Sequence, residues 1–308
     1  MKILVTGGAG FIGSHIVDAL AAEGHAVVVV DDLSMGCREH VHTKAKFVQL
    51  DIRSEHLRTL FVEHRFDVVM HHAAQMDVRK SVEDPLFDAS VNVLGTLNIL
   101  ECCIATGVQQ CIFASTGGAI YGEQEYFPAD ENHPTLPLSP YGVTKLTAEK
   151  YLHAYHAIYG LNYVSLRYAN VYGPRQNPHG EAGVVAIFTS KILAGEQPII
   201  NGDGTQTRDY VYVDDVVKAN MCALHYAKCG IFNIGPGVET SVNELVSDLK
   251  EFTGSAYHEH HGHAKKGEQQ RSVISYRQAQ HALGWQPKVK LREGLMQTVE
   301  SFKQQLTK

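Results

Sequence analysis

Along the first half of the chain, apolar residues come in short unbroken runs, and the stretches between them space apolar residues as a helix would. The runs are residues 3–6, 26–31, 46–50, 68–71 and 110–115. Runs that are apolar throughout, rather than alternating, suit parallel strands covered on both faces. Residues 15–23 and 91–106 are amphipathic and predict helices. Strands alternating with helices at this spacing predict an α/β fold with a doubly wound parallel sheet of the Rossmann type.

After Gly173-Pro174 the pattern loosens. Glycines at 180–183, 202–204 and 235–237 read as turns. Helical spacing returns at 214–227, 242–252, 276–283 and 291–305, with a strand at 231–234. The expected organisation is a dinucleotide-binding domain over 1–170 and a smaller mixed α/β substrate lobe over 171–308. Parts of 209–236 are expected to return to the first domain.

Composition narrows the class. Of 308 residues, 44% are hydrophobic and 19% charged, the profile of a globular protein. The net charge of -6, with both signs mixed, offers no basic face for nucleic acid. No apolar run is read as a membrane span, and Met1-Lys2-Ile3-Leu4-Val5 reads as a buried strand rather than a leader. Six cysteines, none in a Cys-x-x-Cys pair, point to reduced thiols in a cytoplasmic enzyme.

The first strand runs into Gly7-Gly8-Ala9-Gly10-Phe11-Ile12-Gly13. A tight turn out of a strand needs a residue without Cβ, and a diphosphate approaches the backbone only where no side chain intrudes. Gly7, Gly10 and Gly13 meet that requirement, and the helix that follows offers unpaired N–H groups and a positive dipole end. Asp31 closes the second strand, where a carboxylate accepts from ribose hydroxyls and repels a 2′-phosphate. The cofactor expected is therefore NAD, with Asp32 a possible sharer of the role. A glycine-rich turn without a ligand is the plainer alternative.

Tyr141-Gly142-Val143-Thr144-Lys145 puts a phenol and an ammonium four residues apart, on one face of a helix. The ammonium is expected to lower the phenol's pKa, so that Tyr141 can exchange a proton with a sugar hydroxyl. Thr116, at the end of a strand beside the expected switch point, is the candidate for holding the same oxygen, with Ser115 in competition. Otherwise Ser115-Thr116-Gly117-Gly118 is a strand-end turn.

With these residues together, the chain resembles the extended short-chain dehydrogenase/reductase superfamily, and within it the UDP-glucose (UDP-galactose) 4-epimerases. The likeness runs from Thr6–Gly13 through His72-Ala73-Ala74-Gln75, Ser81-Val82-Glu83-Asp84-Pro85 and Asn92-Val93-Leu94-Gly95-Thr96. It continues through Arg167–Arg175 and Arg208-Asp209-Tyr210-Val211 to Leu283-Gly284-Trp285-Gln286-Pro287. The resemblance implies that Asp51 and Ile52 flank adenine. It places Ala73, Ala74 and Gln75 along the diphosphate and nicotinamide ribose, with Asn92 near the cofactor. Tyr168 would face the nicotinamide, and Asn170 and Arg208 the substrate diphosphate. Asn92 capping its helix and an Arg208–Asp209 surface pair are the plainer alternatives. The implied mechanism is reversible C4 epimerisation of a UDP-hexose: hydride passes to NAD and returns to the other face of a 4-keto sugar.

Gly117 and Gly118 stand where dehydratase and decarboxylase relatives carry acids, which lowers both of those readings. Lys266-Gly267-Glu268-Gln269-Gln270-Arg271-Ser272-Val273-Ile274-Ser275 matches the family's C-terminal pattern, with serine at its final aspartate. Arg271 is then a candidate diphosphate ligand. The small Ser272 resembles members that accept N-acetylated sugars, so UDP-GlcNAc/UDP-GalNAc are candidate substrates. The cluster 257–263 is histidine-rich but lacks the spacing of a closed zinc site, so no metal is expected, and it reads as an exposed loop over the substrate entrance. A UDP-glucuronate 4-epimerase and a non-catalytic NAD-binding regulator are the alternatives. Residues 91–106 and 144–158 correspond to the helices of a four-helix homodimer interface in the family.

Overall fold

Neighbouring residues of each central strand enter different cores, and that alternation fixes the layers. A computed structural model describes residues 1–178, 183–256, 260–264 and 269–306. Expectations resting on 180–182, 257–259 and 266–268 lie outside the described residues.

The chain runs β1 (Lys2–Thr6), α1 (Phe11–Ala22), β2 (Ala26–Asp31), β3 (Lys46–Gln49), α2 (His56–His64) and β4 (Val68–His71). There follow α3 (Val78–Glu83), α4 (Pro85–Ala89), a π turn (Ser90–Leu94), α5 (Gly95–Thr106), β5 (Gln110–Thr116), α6 (Gly117–Ile120) and α7 (Pro140–Tyr159). The next elements are β6 (Asn162–Tyr168), β7 (Asn170–Tyr172), α8 (Val184–Leu193), β8 (Ile199–Asn201), β9 (Thr207–Tyr212), α9 (Val213–Leu224) and β10 (Gly230–Ile234). The chain closes with β11 (Glu239–Ser241), α10 (Val242–Thr253), β12 (His260–Gly262), β13 (Arg271–Ser272), α11 (Arg277–Leu283) and α12 (Leu291–Leu306).

Seven strands form one parallel sheet in the order β10-β6-β5-β4-β1-β2-β3. Ile3, Val5, Val27, Val29, Met70 and Ile112 pack into the core beside α1 and α9. Leu4, Val28, Val30, Val69, Cys111 and Phe113 enter the core beneath α2, α5 and α7. Each such side chain contributes about 1.5–3 kcal/mol when fully buried, so a one-residue slip would exchange the two cores. The order reverses between β1 and β4, which opens a crevice at the carboxyl ends of the strands.

A third core gathers Tyr172, Val185, Phe188, Tyr210, Leu245, Leu295 and Val299 around α8, α10 and α12. In this lobe β9 lies between β11 and β13 and also pairs with β7. Asp215, 1% exposed, joins the lobes: its carboxylate accepts from the Lys288 and Val289 backbone N–H groups.

Two expectations need correction. Pro85–Thr106 forms one apolar stretch of 22 residues, long enough by length and composition to cross a membrane, although no such run was read from the sequence. Its polar members disguise it in the sequence, and Asp88, Asn92 and Thr96 are buried against the protein. Second, His260 and His261 lie in β12, paired with β8, rather than in a loop. Among the described residues no group of three or more metal-ligating side chains occurs.

Candidate active site

The strand ends deliver the expected residues to one edge of the sheet. Gly7 follows β1, Asp31 ends β2, Asp51 and Ile52 follow β3, Ala73–Gln75 follow β4, and Thr116 ends β5. Tyr168 ends β6, paired in register with Thr116, and Asn170 opens β7 two residues later.

The glycine turn is shaped by contact as much as by backbone angle. Gly7 has φ +68°, and a Cβ there would lie 2.6 Å from Ala73 N. A Cβ on Gly13 would lie 2.2 Å from Gly7 O. Gly10 heads α1 without a side-chain cap, and the helix has no acid in its first turn. The first N–H groups of α1 are thus left for an anion. This cradle, which side chains would fill, fits a dinucleotide diphosphate. Asp31 accepts from Ala9 N and Leu33 N, both at 2.9 Å, so the ribose candidate also holds the turn. Burial raises its pKa, while these backbone bonds oppose the rise. Asp32 is exposed and accepts from Ser34 N and Ser34 Oγ. Asp51 is paired with Arg53, and Ile52 is buried against Gly95.

Ser139 caps α7 by accepting from Gly142 N, and Pro140 occupies its first turn. Tyr141 therefore enters in the first turn, with Lys145 one turn on and Glu149 the next. Lys145 is 4% exposed and donates to Ala114 O at 2.7 Å, its ammonium 4.6 Å above the Phe113 ring. Burial holds its pKa down to about 8, against the pull of Asp88 and Glu149. The Tyr141 phenol is raised rather than lowered, by burial first and by Asp88 second. The expected lowering by Lys145 is not found: the phenol loses solvent, and the ammonium is turned to the Ala114 carbonyl.

The two hydroxyls at the end of β5 differ in their hydrogen bonds. Ser115 is 4% exposed and donates to Glu149 Oε1 at 2.6 Å, beneath the sheet edge. Thr116 is half-buried, and neither its hydroxyl nor that of Tyr141 has a hydrogen-bond partner among the described residues. A Cβ on Gly118 would lie 3.9 Å from Thr116 Oγ1 and 3.6 Å from Asn170 Oδ1, so these two polar groups flank one space. Gly117 has no such room, since a Cβ would meet Ile274 at 2.7 Å.

Other candidates are already occupied within the protein. Asn92 does not cap a helix: it lies in the π turn, accepts from Gln75 N and donates to Gln75 O and Asp88. Gln75 donates to Asp77 O and Asp88 Oδ1. Tyr168 is buried, and its hydroxyl accepts from Asn220 Nδ2 at 2.8 Å. Arg208 donates to Thr207 O, while the buried Asp209 carboxylate accepts from the N–H groups of Gly237, Val238 and Ile274. Ser272 is 3% exposed, opposite Arg208 in the β13–β9 register. Arg271 forks Glu239 at 2.9 and 2.7 Å and lies 3.7 Å above the Phe127 ring.

The sequence reading missed the polar groups behind the site. Ser81 accepts from Tyr141 N at 3.2 Å, and Asp88 accepts from Thr144 Oγ1 at 2.7 Å. Glu149 and Arg167 form a buried ion pair. Asp88 and Asn92 are four residues apart, a spacing that could have suggested a shared helix face.

Residues 3–235 match the model of a family described as "NAD dependent epimerase/dehydratase family". The UDP-glucose 4-epimerase of Mycolicibacterium smegmatis is 46% identical over 98% of this chain and 99% of its own length. The crystal structure of UDP-glucose 4-epimerase from Thermotoga maritima with UDP-glucose is 50% identical, with a TM-score of 0.98 over 99% of this chain and 100% of that one. The Thermus thermophilus UDP-glucose 4-epimerase in complex with NAD is 47% identical, with a TM-score of 0.94 over 98% of this chain and 99% of that one.

Proposed function

This chain belongs to the NAD-dependent epimerase/dehydratase family, and we propose that it is an NAD-dependent UDP-hexose 4-epimerase interconverting UDP-glucose and UDP-galactose. The observation that supports this reading is the strand-end edge that carries the α1 cradle, Thr116 and Asn170, with Lys145 of α7 bonded to Ala114 O of β5. Likeness to UDP-glucose 4-epimerases over nearly the whole chain supports it.

In this reading Gly7, Gly10, Phe11, Ile12 and Gly13 hold the NAD diphosphate. Asp31, with Asp32 beside it, holds the adenosine ribose, and Asp51 and Ile52 border the adenine. Ala73, Ala74, Gln75, Asn92, Tyr141, Lys145 and Tyr168 surround the nicotinamide end. NAD supplies a hydride acceptor that returns what it takes, so the reaction leaves no net oxidation.

The protein's own groups handle the proton and the grip. Tyr141 takes the proton of the sugar 4-hydroxyl as C4 becomes a carbonyl carbon, and returns it after the sugar has turned. Lys145 supplies the positive charge that favours the phenolate. Thr116 holds the C4 oxygen by its free hydroxyl. Asn170 and Arg208 anchor the substrate diphosphate, a guanidinium matching phosphate oxygens with paired donors. Arg271 joins them on release from Glu239. Gly117 and Gly118 supply no acid for eliminating water, which favours return of the hydride over dehydration.

The small, buried Ser272 supports a second activity on UDP-GlcNAc/UDP-GalNAc. Six free cysteines support a reducing compartment such as the cytoplasm. Leu94 and Ile158, exposed at 60% and 68%, support a homodimer through a four-helix interface formed by residues 91–106 and 144–158.

The test is a coupled assay of purified protein with UDP-galactose, UDP-GalNAc and UDP-galacturonate, without added NAD. Turnover of UDP-galactose is expected; turnover of the uronate alone would replace the hexose reading by the UDP-glucuronate one. Tyr141→Phe should lose at least about a hundredfold in kcat while keeping NAD. A variant as active as the wild type would remove Tyr141 from the chemistry and favour a non-catalytic regulator.

A further inference from the structure

Asp88 is fully buried on α4, and every partner of its carboxylate is a neutral donor. Oδ1 accepts from Gln75 Nε2 at 2.9 Å and Asn92 Nδ2 at 3.0 Å, and Oδ2 accepts from Thr144 Oγ1 at 2.7 Å. A buried carboxylate is costly unless it is hydrogen-bonded and near an opposite charge.

Its partners bracket the site. Gln75 ends the Ala73–Gln75 segment proposed to line the nicotinamide end, and Asn92 holds that segment by both its N–H and its carbonyl. Thr144 lies between Tyr141 and Lys145 on α7 and also reaches Tyr141 O. Resting on the epimerase reading, we propose that Asp88 is a positioning residue: it ties the loop after β4 to the first turn of α7 and sets the charge balance of Tyr141 and Lys145.

The surrounding charges leave this role to Asp88. On α7 itself, Glu149 is matched by Arg167 from β6. From β4, burial lowers the pKa values of His71 and His72, favouring their neutral forms. From α5, Glu101 accepts from Tyr155, farther along α7. From α3, Lys80 lies over the Phe87 ring. Tyr121, which ends α6, is paired with Arg167 and Asn233. Asp88 raises the pKa of both Lys145 and Tyr141, so removing its charge moves both in the same direction.

The experiment compares NAD-loaded wild type, Asp88→Asn, Thr144→Val and Thr144→Ser in pH profiles of kcat and KM with UDP-galactose. Asparagine keeps the shape: its oxygen can accept from Gln75 and Asn92 while its amide donates to Thr144. Both limbs of the D88N profile should move to lower pH by about one unit, with kcat down roughly tenfold and KM unchanged. T144V keeps the charge and loses the tie, so kcat should fall with the limbs in place, and T144S should restore it. D88N limbs coincident with those of the wild type would overturn the proposal. So would a D88N that does not fold, since the residue would then belong to the fold, or a T144V with wild-type kcat. A wild type inactive on every UDP-sugar would instead sink the epimerase reading, and this proposal with it.

Discussion

Replacing Glu149 by Gln tests how α7 is held on the sheet. The Glu149 carboxylate is 1% exposed and accepts from Arg167 Nε at 3.0 Å, Arg167 Nη2 at 2.7 Å, Ser115 Oγ at 2.6 Å and Ser165 Oγ at 3.0 Å. Burial disfavours the Arg167 charge, but Glu149 outweighs it and leaves the guanidinium's pKa raised. Glutamine fits the space yet removes the counter-charge, and its amide faces donors. Breaking one side of such a pair costs about 3–5 kcal/mol. Unfolding entropy of about 2.1 cal/mol/K per residue makes each kcal/mol worth roughly 1.5 °C in a chain of 308 residues. The melting midpoint should therefore fall by roughly 5–8 °C, measured by calorimetry at saturating NAD. A cycle with Glu149→Leu, Arg167→Met and the double variant should show coupling of at least about 2 kcal/mol. An E149Q midpoint within a degree or so of wild type, or a double variant that loses the full sum of the single losses, would refute the reasoning.

Three further outcomes follow from the geometry. In Gly13→Ala the new Cβ, 2.2 Å from Gly7 O, forces the turn from α1, and NAD released on denaturation should fall at least about tenfold. Burial holds His72 down to about 4, below the 6.5 of an exposed imidazole. Its neutral form therefore contributes stability that is present above roughly pH 6.5 and lost as pH falls towards 4, about 3 kcal/mol in all. His72→Gln should flatten the melting curve against pH in that window. Leu94→Arg, on the exposed face of Pro85–Thr106, should sediment near the 34.0 kDa of a single chain while wild type sediments near twice that.

The sheet was legible because its strands are apolar on both faces: 26–31 and 68–71 agree with β2 and β4 to the residue. The glycine turn was legible because its requirement is local, in the seven residues that make it. What escaped notice depends on distant pairings. Asp88 looks like an interruption in an apolar stretch until Gln75 and Thr144 are brought to it. The pairing of Arg271 with Glu239 spans 32 residues and needs β9 to bring β11 and β13 together. Helical periodicity places Tyr141 and Lys145 on one face, but burial, which periodicity does not measure, reverses the direction of the phenol's shift.

The last strand of the large sheet, β10, arrives after the chain has already built much of the second lobe, and it pairs with β6. A nascent chain that has emerged only as far as β6 therefore carries an open strand edge, with five residues from Val164 to Tyr168 still waiting for partners. Such an edge invites pairing with another chain. The division expected near residue 170 does not cut the large sheet cleanly, because β10 comes from beyond it. During synthesis, protection of that edge comes only when residues 230–234 are available, so the timing of the second lobe governs the solubility of the first.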